Sequence, residues 1–174
     1  MAVTLVLGGA RSGKSGHAEQ VAAAWPGEVL VVATGAAIPG DGEWAARIAA
    51  HRTRRPTTWR TVEEEVALRE VLGAEAREGR LLLVECLTTW LANLLYRGLD
   101  AEREGAALAP LLPTLPGAVV AVANEVGCGI VPEPAPVRRF RDLAGALNQR
   151  IAAVADRVVW LVAGIPVVVK GERR

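Results

Sequence analysis

The first motif in the chain reads Gly8-Gly9-Ala10-Arg11-Ser12-Gly13-Lys14-Ser15, directly after the apolar run Val3-Thr4-Leu5-Val6-Leu7. Its spacing, a glycine, four residues and then Gly-Lys-Ser, is that of the Walker A phosphate-binding loop. It also stands between a predicted strand and a predicted helix, as that loop must. The glycines let successive backbone N–H groups face one phosphate, and the helix dipole adds positive charge there. The motif therefore predicts a site for nucleotide phosphates, and a chance glycine-rich turn fits this context poorly.

Two residues of the motif have specific expected roles. In such loops the lysine, here Lys14, reaches the β- and γ-phosphates, and the hydroxyl at Ser15 is a ligand of a Mg²⁺ ion that bridges two phosphate oxygens. The chain contains only two lysines, Lys14 and Lys170, and one of them occupies the position at which the motif requires lysine. We therefore expect a Mg²⁺-dependent triphosphate site.

Length and composition favour one ordinary globular domain. A chain of 174 residues with 51% hydrophobic and 22% charged residues suits one core, so we expect residues 1–174 to form a single P-loop nucleotide-binding catalytic domain. The net charge of +1 argues against a nucleic acid held by bulk electrostatics. With two cysteines, no signal-peptide pattern and no apolar run of about 20 residues, we expect a cytoplasmic protein without membrane insertion.

Apolar runs and helical patterns alternate along the chain. Strands are predicted at residues 3–7, 28–33, 81–84, 118–123, 158–162 and 166–169, and helices at 14–24, 43–53, 62–78, 137–154 and from a cap at Thr88 or Thr89 to Arg97. Residues 38–42 and the proline-containing part of 98–117 are predicted loops, and a turn at Gly164 is expected to join the last two strands in a hairpin. This alternation predicts an α/β fold of the P-loop NTPase-like, doubly wound kind, a mainly parallel sheet with helices on both faces.

Acidic residues that follow predicted strands are candidates for a second Mg²⁺ ligand. Ligands bind at the carboxyl ends of strands in such sheets. Glu85 ends the apolar strand at 81–84 and is the candidate for the Walker B carboxylate. Four apolar residues followed by an acid form a weak pattern, so a helix-capping role for Glu85 remains an alternative. Glu125, after a different strand, is a further candidate.

A basic stretch surrounds His51, one of only two histidines. Arg47, Arg52, Arg54 and Arg55 all lie within four positions of it. A solvated basic helix face would explain such a charge run by itself. Beside a bound nucleotide, however, arginines neutralise charge on a transferring phosphoryl group, and a neutral histidine can act as base or nucleophile. The surrounding cations are expected to keep His51 neutral at physiological pH.

Other polar residues could have either a structural or a functional role. His17, on the predicted P-loop helix, is expected to be structural. Arg138, Arg139 and Arg141 form either a second anion site or an exposed helix face. A Ras-like GTPase is disfavoured, because neither lysine is preceded by the asparagine of its guanine-reading Asn-Lys-x-Asp run. The residues alone thus indicate a Mg²⁺-dependent P-loop phosphotransferase or nucleotidyltransferase.

With these segments in order, the chain resembles the bifunctional adenosylcobinamide kinase/adenosylcobinamide-phosphate guanylyltransferase family over essentially its whole length. The resemblance rests on separate motifs in the same order, which are Gly8 to Ser15, Ala45-Ala46-Arg47-Ile48, His51, Trp59-Arg60-Thr61, Glu85-Cys86, Asn124-Glu125-Val126-Gly127, Gly129-Ile130-Val131-Pro132-Glu133 and Phe140-Arg141-Asp142 with Asn148-Gln149-Arg150.

The resemblance implies two reactions in coenzyme B12 biosynthesis. ATP or GTP first phosphorylates adenosylcobinamide. GTP then donates GMP to adenosylcobinamide-phosphate through a guanylylated histidine, which yields adenosylcobinamide-GDP and pyrophosphate. The resemblance also implies a P-loop fold with a mainly parallel sheet and assembly as a homotrimer.

Carried over to this chain, the resemblance makes His51 the guanylylated residue, and the P-loop argument adds Lys14 as the second catalytic residue. Ser15 and Glu85 are the expected metal ligands. The expected nucleotide contacts are Gly8, Gly9, Ala10, Arg11, Ser12, Gly13, Lys14, Ser15, Ala33, Thr34, Gly35, Arg52, Thr53, Arg54, Arg55, Glu63 and Glu85.

The chain departs from the family pattern at a few positions. Ala50 precedes His51 where relatives can carry a second histidine, so His51 is the single candidate there. Gly35 stands where relatives can have serine and offers no side-chain hydroxyl. No function is carried over to residues 98–116. Two alternatives remain open at this point, a single-activity P-loop small-molecule kinase with a structural His51 and a non-enzymatic nucleotide-binding regulator.

Overall fold

The computed structural model describes residues 2–35 and 40–172, and strands and helices alternate along them. The strands are β1 (Ala2–Gly8), β2 (Glu28–Ala33), β3 (Arg60–Glu63), β4 (Arg80–Glu85), β5 (Ala118–Asn124), β6 (Arg157–Val162) and β7 (Ile165–Lys170). The helices are α1 (Lys14–Ala23), α2 (Gly42–Arg54), α3 (Leu68–Glu75), α4 (Leu87–Tyr96), α5 (Ala101–Leu111) and α6 (Ala135–Val154), and a 3₁₀ turn covers Leu112–Thr114.

The seven strands form one sheet in the order β3-β2-β4-β5-β1-β6-β7. Strands β1 to β6 pair in parallel, and β7 joins the edge antiparallel to β6. The turn between β6 and β7 contains Ala163 and Gly164, both with positive φ, as the predicted hairpin requires. The α/β class, the mainly parallel sheet and the P-loop-like arrangement predicted from the sequence are thereby confirmed.

Helices cover both faces of this sheet, and each face has its own apolar core. Side chains on neighbouring positions of β1 point to opposite faces, so Leu5 belongs to one core and Val6 to the other. The larger core is completed by residues of α3, α4, α5 and α6, and the smaller one by Ala18 and Ala22 of α1. Strands buried on both faces explain why they read as continuous apolar runs in the sequence.

The strand register aligns the carboxyl ends that position the site. Gly8 at the end of β1 lies beside Asn124 of β5, and Glu85 of β4 lies beside Ala33 of β2. Strand β5 separates β1 from β4 in the sheet. The phosphate-binding loop, Asn124 and Glu85 therefore share one edge of the sheet, as expected for a parallel α/β architecture.

The opposite, amino edge of the sheet holds a buried arginine. Arg80 begins β4 and is only 2% exposed. Its guanidinium donates to both carboxylate oxygens of Glu28 and to the side chain of Glu75 at 2.6 Å. Arg77 and Arg60 pair with the same two carboxylates from the exposed side. The hydrogen bonds from Arg80 and then from Arg77 lower the pKa of Glu28 from 4.5 to about 2.

The helix predicted over residues 62–78 is wrong in its first part. Residues Arg60–Glu63 form the edge strand β3, which pairs with β2, and α3 begins only at Leu68. Between them the Glu64 carboxylate accepts hydrogen bonds from the N–H groups of Val66 and Ala67, both at 2.8 Å. Val62 and Val66 suit a helical period, but the strand pairing and this turn override that local pattern.

Two smaller predictions are also wrong. Pro110 lies in the last turn of α5 and not in a loop. Neither Thr88 nor Thr89 caps α4, because the helix begins at Leu87 with Cys86 as its N-cap residue. The Thr88 hydroxyl instead accepts a hydrogen bond from the Asn124 N–H at 2.7 Å. The predicted loop at 38–42 falls partly on residues 36–39, outside the described ranges.

Candidate active site at the carboxyl edge of the sheet

The loop between β1 and α1 has the tight conformation that its glycines predict. Gly13 has a φ of 92°, in the left-handed region that glycine adopts without strain. Gly8 has no room for a side chain, because an added Cβ would collide with the Ser12 side chain. The Gly164 N–H donates to the Ser12 carbonyl at 2.9 Å, so the β6–β7 turn supports the loop from behind.

Lys14 is the first residue of α1 and is held against the loop. It is 6% exposed, and its Nζ donates to the Gly9 carbonyl at 3.1 Å. A lysine folded back over its own loop places the ammonium where the β- and γ-phosphates of a nucleotide bind in sites of this type. The side chain also lines a cavity beside the loop.

This cavity brings together residues from six separate parts of the chain. The predicted site residues that line it are Lys14, Ser15, Ala33, Gly35, His51, Arg52, Arg55, Glu63 and Glu85. The other lining residues are Ile48, Cys86, Thr89, Val122 and Asn124. Its walls are therefore the start of α1, the carboxyl ends of β2 to β5, and the inner side of α2.

Helix α2 carries His51 to a buried carboxylate. The Nδ1 atom of His51 lies 3.4 Å from Oε1 of Glu85, and the other oxygen of Glu85 accepts a hydrogen bond from Arg55. Glu85 is 9% exposed and the Arg55 side chain 7%. Burial raises the pKa of Glu85, but the contact with His51 and the positive charge of Arg55 together outweigh it and lower the pKa below 4.5. Glu85 is therefore ionised at neutral pH.

A second ion pair connects α2 to the P-loop helix. Arg54 pairs with Glu19 of α1 at 3.3 Å and also lies 3.4 Å from the Nδ1 atom of His51. The ligand atoms of Glu19, His51 and Glu85 lie within 4.8 Å of one another. Both carboxylates already pair with arginines, so a cation placed among these three residues would compete with Arg54 and Arg55.

Helix α2 is also joined to the sheet edge on its other side. Arg52 pairs with Glu63 at the end of β3, and both side chains line the cavity. Thr53, by contrast, donates to the Ala49 carbonyl within α2 and borders a neighbouring groove. The arginine-rich stretch is thus divided between two carboxylates at the cavity, Glu63 and Glu85, and one on α1.

Thr34 has a role within the fold. Its fully buried hydroxyl lies within hydrogen-bond distance of the carbonyl groups of Glu85 and Cys86, and it accepts from the Cys86 N–H at 2.8 Å. The Thr34 carbonyl accepts from Asn93 at 2.8 Å. These bonds fix the carboxyl end of β4, and with it the position of Glu85, relative to β2.

Several residues considered from the sequence lie outside the cavity lining. Glu125 accepts a hydrogen bond from the Gly127 N–H at 2.6 Å and does not line the cavity. Arg138 donates to the carbonyl groups of Pro132 and Glu133, so it is used within the loop before α6. His17 is half-buried beneath the loop, and burial, with the charge of Arg157, lowers its pKa.

Sequence reasoning missed some of the residues that complete the site. Glu19 lies on α1 at a position with no motif, and only the fold places it near His51. Asn124 was given no role of its own, although a polar residue that ends an otherwise apolar strand is a usable signal in a parallel sheet. Ile48 on α2 and Thr89 on α4 can be recognised as lining the cavity only when it is known which face of each helix points to it.

The residues present suit a magnesium ion and a triphosphate. Ser15 offers a hydroxyl oxygen and Glu85 a carboxylate oxygen in the same cavity, and oxygen ligands of this kind are those that Mg²⁺ prefers. In this structure both oxygens of Glu85 face cationic or donor groups, Arg55 and His51. Direct coordination by Glu85 would need one of those partners to be displaced, whereas a contact through water would not.

Comparison with known proteins identifies relatives along nearly the whole chain. The family model for cobinamide kinase/cobinamide phosphate guanyltransferase matches residues 4–169. A bifunctional adenosylcobalamin biosynthesis protein of Pseudomonas aeruginosa is 52% identical over 97% of this chain and 97% of its own length. Bifunctional adenosylcobalamin biosynthesis proteins of Escherichia coli and Salmonella typhimurium are each 42% identical over 95% of this chain and 98% of their own length.

Solved structures of more distant proteins share the fold. A type III secretion system ATPase aligns with a TM-score of 0.52 at 14% identity, covering 92% of this chain, which spans 51% of the ATPase chain. A protein from Pyrococcus horikoshii aligns with a TM-score of 0.56 at 8% identity, covering 99% of this chain and 87% of its own. Among the helices of residues 2–35 and 40–172, none has both the length and the hydrophobicity of a membrane-spanning segment.

Proposed function

The chain belongs to the cobinamide kinase/cobinamide phosphate guanyltransferase family and is a bifunctional enzyme of adenosylcobalamin biosynthesis, and we propose that the cavity at the carboxyl edge serves both reactions. The observation that carries this proposal is the convergence of Lys14 and His51 on one cavity. The first is the phosphate-binding lysine of the loop, and the second is the candidate for covalent guanylylation. A single nucleotide pocket then suffices for phosphoryl and guanylyl transfer.

We propose that His51 attacks through its Nε2 atom. The Nδ1 atom faces the buried, ionised carboxylate of Glu85 at 3.4 Å. A hydrogen on Nδ1 makes this contact a hydrogen bond, whereas a lone pair there would face a negative charge. With the hydrogen on Nδ1, the lone pair lies on Nε2 and is free to form a bond.

The contact of Arg54 with the same Nδ1 atom favours the other tautomer, since a guanidinium donates and needs a lone pair. Arg54 is exposed and already paired with Glu19, and Glu85 is buried. Electrostatic interactions are stronger in the buried environment, so the carboxylate determines the tautomer.

In the proposed reaction the Nε2 atom of His51 bonds to the α-phosphorus of GTP, and the bond to the bridging oxygen of the β-phosphate breaks, releasing pyrophosphate. An oxygen of cobinamide phosphate then attacks the same phosphorus, the P–N bond breaks, and His51 is regenerated. The backbone of the loop at 8–15 is proposed to hold the triphosphate together with Lys14. Lys14, Arg52 and Arg55 line the cavity and offer cationic groups beside the phosphates. The proposed Mg²⁺ ion, held by Ser15 and Glu85, would neutralise phosphate charge when bound.

The remaining nucleotide contacts are proposed on the same basis. Ala33, Gly35 and Glu63 line the cavity beside α2, and their positions suit the nucleoside end of the bound GTP or ATP. We also propose that residues 1–174 act as one catalytic domain, that the enzyme assembles as a homotrimer like the family it belongs to, and that it works in the cytoplasm on GTP, ATP, adenosylcobinamide and its phosphate.

Labelled GTP tests the guanylyl-histidine proposal. Enzyme incubated with GTP labelled at the α-phosphate should acquire an acid-labile label on the protein. The label should be lost in His51→Ala. It should be kept in His17→Ala, the matched control, which changes the only other histidine of the chain in the same way. Label that persists in His51→Ala, or that is absent from the wild-type protein, would contradict the proposal.

A further inference from the structure

Asn124 combines a fixed backbone with a side-chain oxygen that is buried and unused. It is the last residue of β5, between the P-loop strand β1 and the Glu85 strand β4. The Oδ1 atom has no hydrogen-bond partner among the residues that the structure describes. The side chain lines the cavity that also contains Lys14 and Ser15. A buried acceptor without a partner is energetically unfavourable, so its position indicates a ligand.

The surroundings hold Asn124 rigidly in this position. Its N–H donates to the Thr88 hydroxyl at 2.7 Å, and its carbonyl accepts from the Asn148 side chain at 3.1 Å. Both partners are buried, at 8% and 7% exposure. The next N–H, that of Glu125, donates to the Gly8 carbonyl at 3.0 Å, which ties Asn124 directly to the P-loop strand. Such support from both sides suits a side chain that must be placed accurately.

The chemistry of the free atom limits what it can bind. An amide oxygen only accepts hydrogen bonds, so its ligand must bring a donor. Ionised phosphate oxygens offer no hydrogen, and they suit the Nδ2 atom of the amide instead. The cobinamide hydroxyl that receives the phosphoryl group is a donor and must come close to the γ-phosphate held by the loop.

We propose that Asn124 positions the acceptor for the kinase reaction, with Oδ1 accepting from the attacking hydroxyl of cobinamide and Nδ2 donating to an oxygen of the γ-phosphate. This rests on the proposed use of one cavity for both reactions. The hydroxyl oxygen bonds to the γ-phosphorus, the bond to the β-phosphate oxygen breaks, and the nucleoside diphosphate leaves. The hydroxyl proton passes to water, since the amide only orients it. One side chain bridging both reactants restricts their alignment for in-line transfer.

The guanylylation of His51 needs no such hydroxyl, which separates the two reactions experimentally. Asn124→Leu removes both polar groups at similar volume. It should lower kcat for phosphoryl transfer from γ-labelled GTP to cobinamide about ten- to hundredfold. Guanylylation of the enzyme by α-labelled GTP, measured in a single turnover at saturating GTP, should fall by a much smaller factor, because it loses only the Nδ2 contact with the γ-phosphate. Asn148→Ala, which removes the hydrogen bond to the Asn124 carbonyl, should lower phosphoryl transfer by a smaller factor than Asn124→Leu does, and again more than guanylylation.

Thermal unfolding shows whether Asn124→Leu is folded. Removing an unpaired buried acceptor should leave the melting temperature equal to or above that of the wild type. Unchanged phosphoryl transfer, or an equal fall in both reactions, would overturn the assignment of Asn124. Absence of a guanylyl adduct in the wild-type enzyme would instead contradict the His51 proposal, and the kinase measurement would still test Asn124.

Discussion

Strand β4 begins and ends with a buried charge, and the two ends are built differently. Arg80 at the amino end is surrounded by the carboxylates of Glu28 and Glu75. Glu85 at the carboxyl end contacts Arg55 and His51, which reach it from α2 across the cavity. The charge at the amino end is thus neutralised by partners within the fold. At the carboxyl end, Glu85 and both of its partners line the cavity in which a ligand would bind.

The difference shows how one strand can serve both stability and chemistry. The partners of Arg80 lie next to it in space. Glu28 is its direct neighbour on the adjacent strand β2, and Glu75 is the last residue of α3. The partners of Glu85 lie on a helix that packs over the site and is joined to the sheet through ion pairs such as Arg52–Glu63. We therefore expect that displacing Arg55 or His51 to admit a nucleotide leaves the sheet intact, and that removing Arg80 destabilises it.

The largest effect is expected from Arg80→Met. This change removes the buried cation and leaves Glu28 and Glu75 with only their exposed partners Arg77 and Arg60, which should lower the free energy of unfolding by about 3 kcal/mol. Urea unfolding at pH 7 measures the loss. The matched control is Arg77→Met, since Arg77 pairs with the same Glu28 but is 60% exposed, and its effect should be several times smaller. Equal losses would show that the amino end is not a buried structural cluster.

A smaller effect, on rate and not on stability, is expected from Glu85→Gln. The amide keeps the volume but no longer fixes the tautomer of His51 or neutralises Arg55, so guanylylation of the enzyme should slow about 100-fold. The unfolding free energy should change less than in Arg80→Met, because Arg55 can turn towards the cavity and water. Single-turnover labelling and urea unfolding measure the two quantities. A loss of unfolding free energy as large as that of Arg80→Met would show that both ends of β4 are structural, contrary to this account.

The smallest effect is a pH dependence at the amino end. The folded protein lowers the pKa of Glu28 to about 2, so the ionised carboxylate contributes stability above its unfolded pKa near 4.5. That contribution is lost as the pH falls from about 4.5 towards 2. The difference in urea midpoint between wild type and Arg80→Met should be constant from pH 7 to about 5 and narrow below it. When both proteins also carry Glu28→Gln, this difference in urea midpoint should narrow less at low pH. A difference between wild type and Arg80→Met that does not depend on pH would contradict the assignment of the effect to Glu28.

Local features of the fold and site were predictable because their causes are local in sequence. The loop at 8–15 has its glycines, lysine and serine within eight positions, and buried parallel strands read as continuous apolar runs. Residues 62–67 were wrongly predicted as helical because Val62, in an edge strand, and Val66, in the following turn, also suit a helical period. Only the pairing of β3 with β2 distinguishes the two structures.

Contacts between distant residues were not predictable. Arg80 and Glu28 are 52 positions apart, and His51 and Glu85 are 34 apart. The sequence placed cations around His51, but the carboxylate beside its Nδ1 atom comes from the packing of α2 over the end of β4. Glu85 and His51 were each identified as candidates, and their direct contact required the structure.

The most direct test compares the yield of guanylyl-enzyme per folded protomer in Arg80→Met and Glu85→Gln, measured by mass spectrometry of the intact protein after brief exposure to GTP. A structural amino end and a functional carboxyl end predict a yield close to wild type in Arg80→Met and a nearly complete loss in Glu85→Gln. Equal yields in the two variants would contradict the distinction between the two ends of β4.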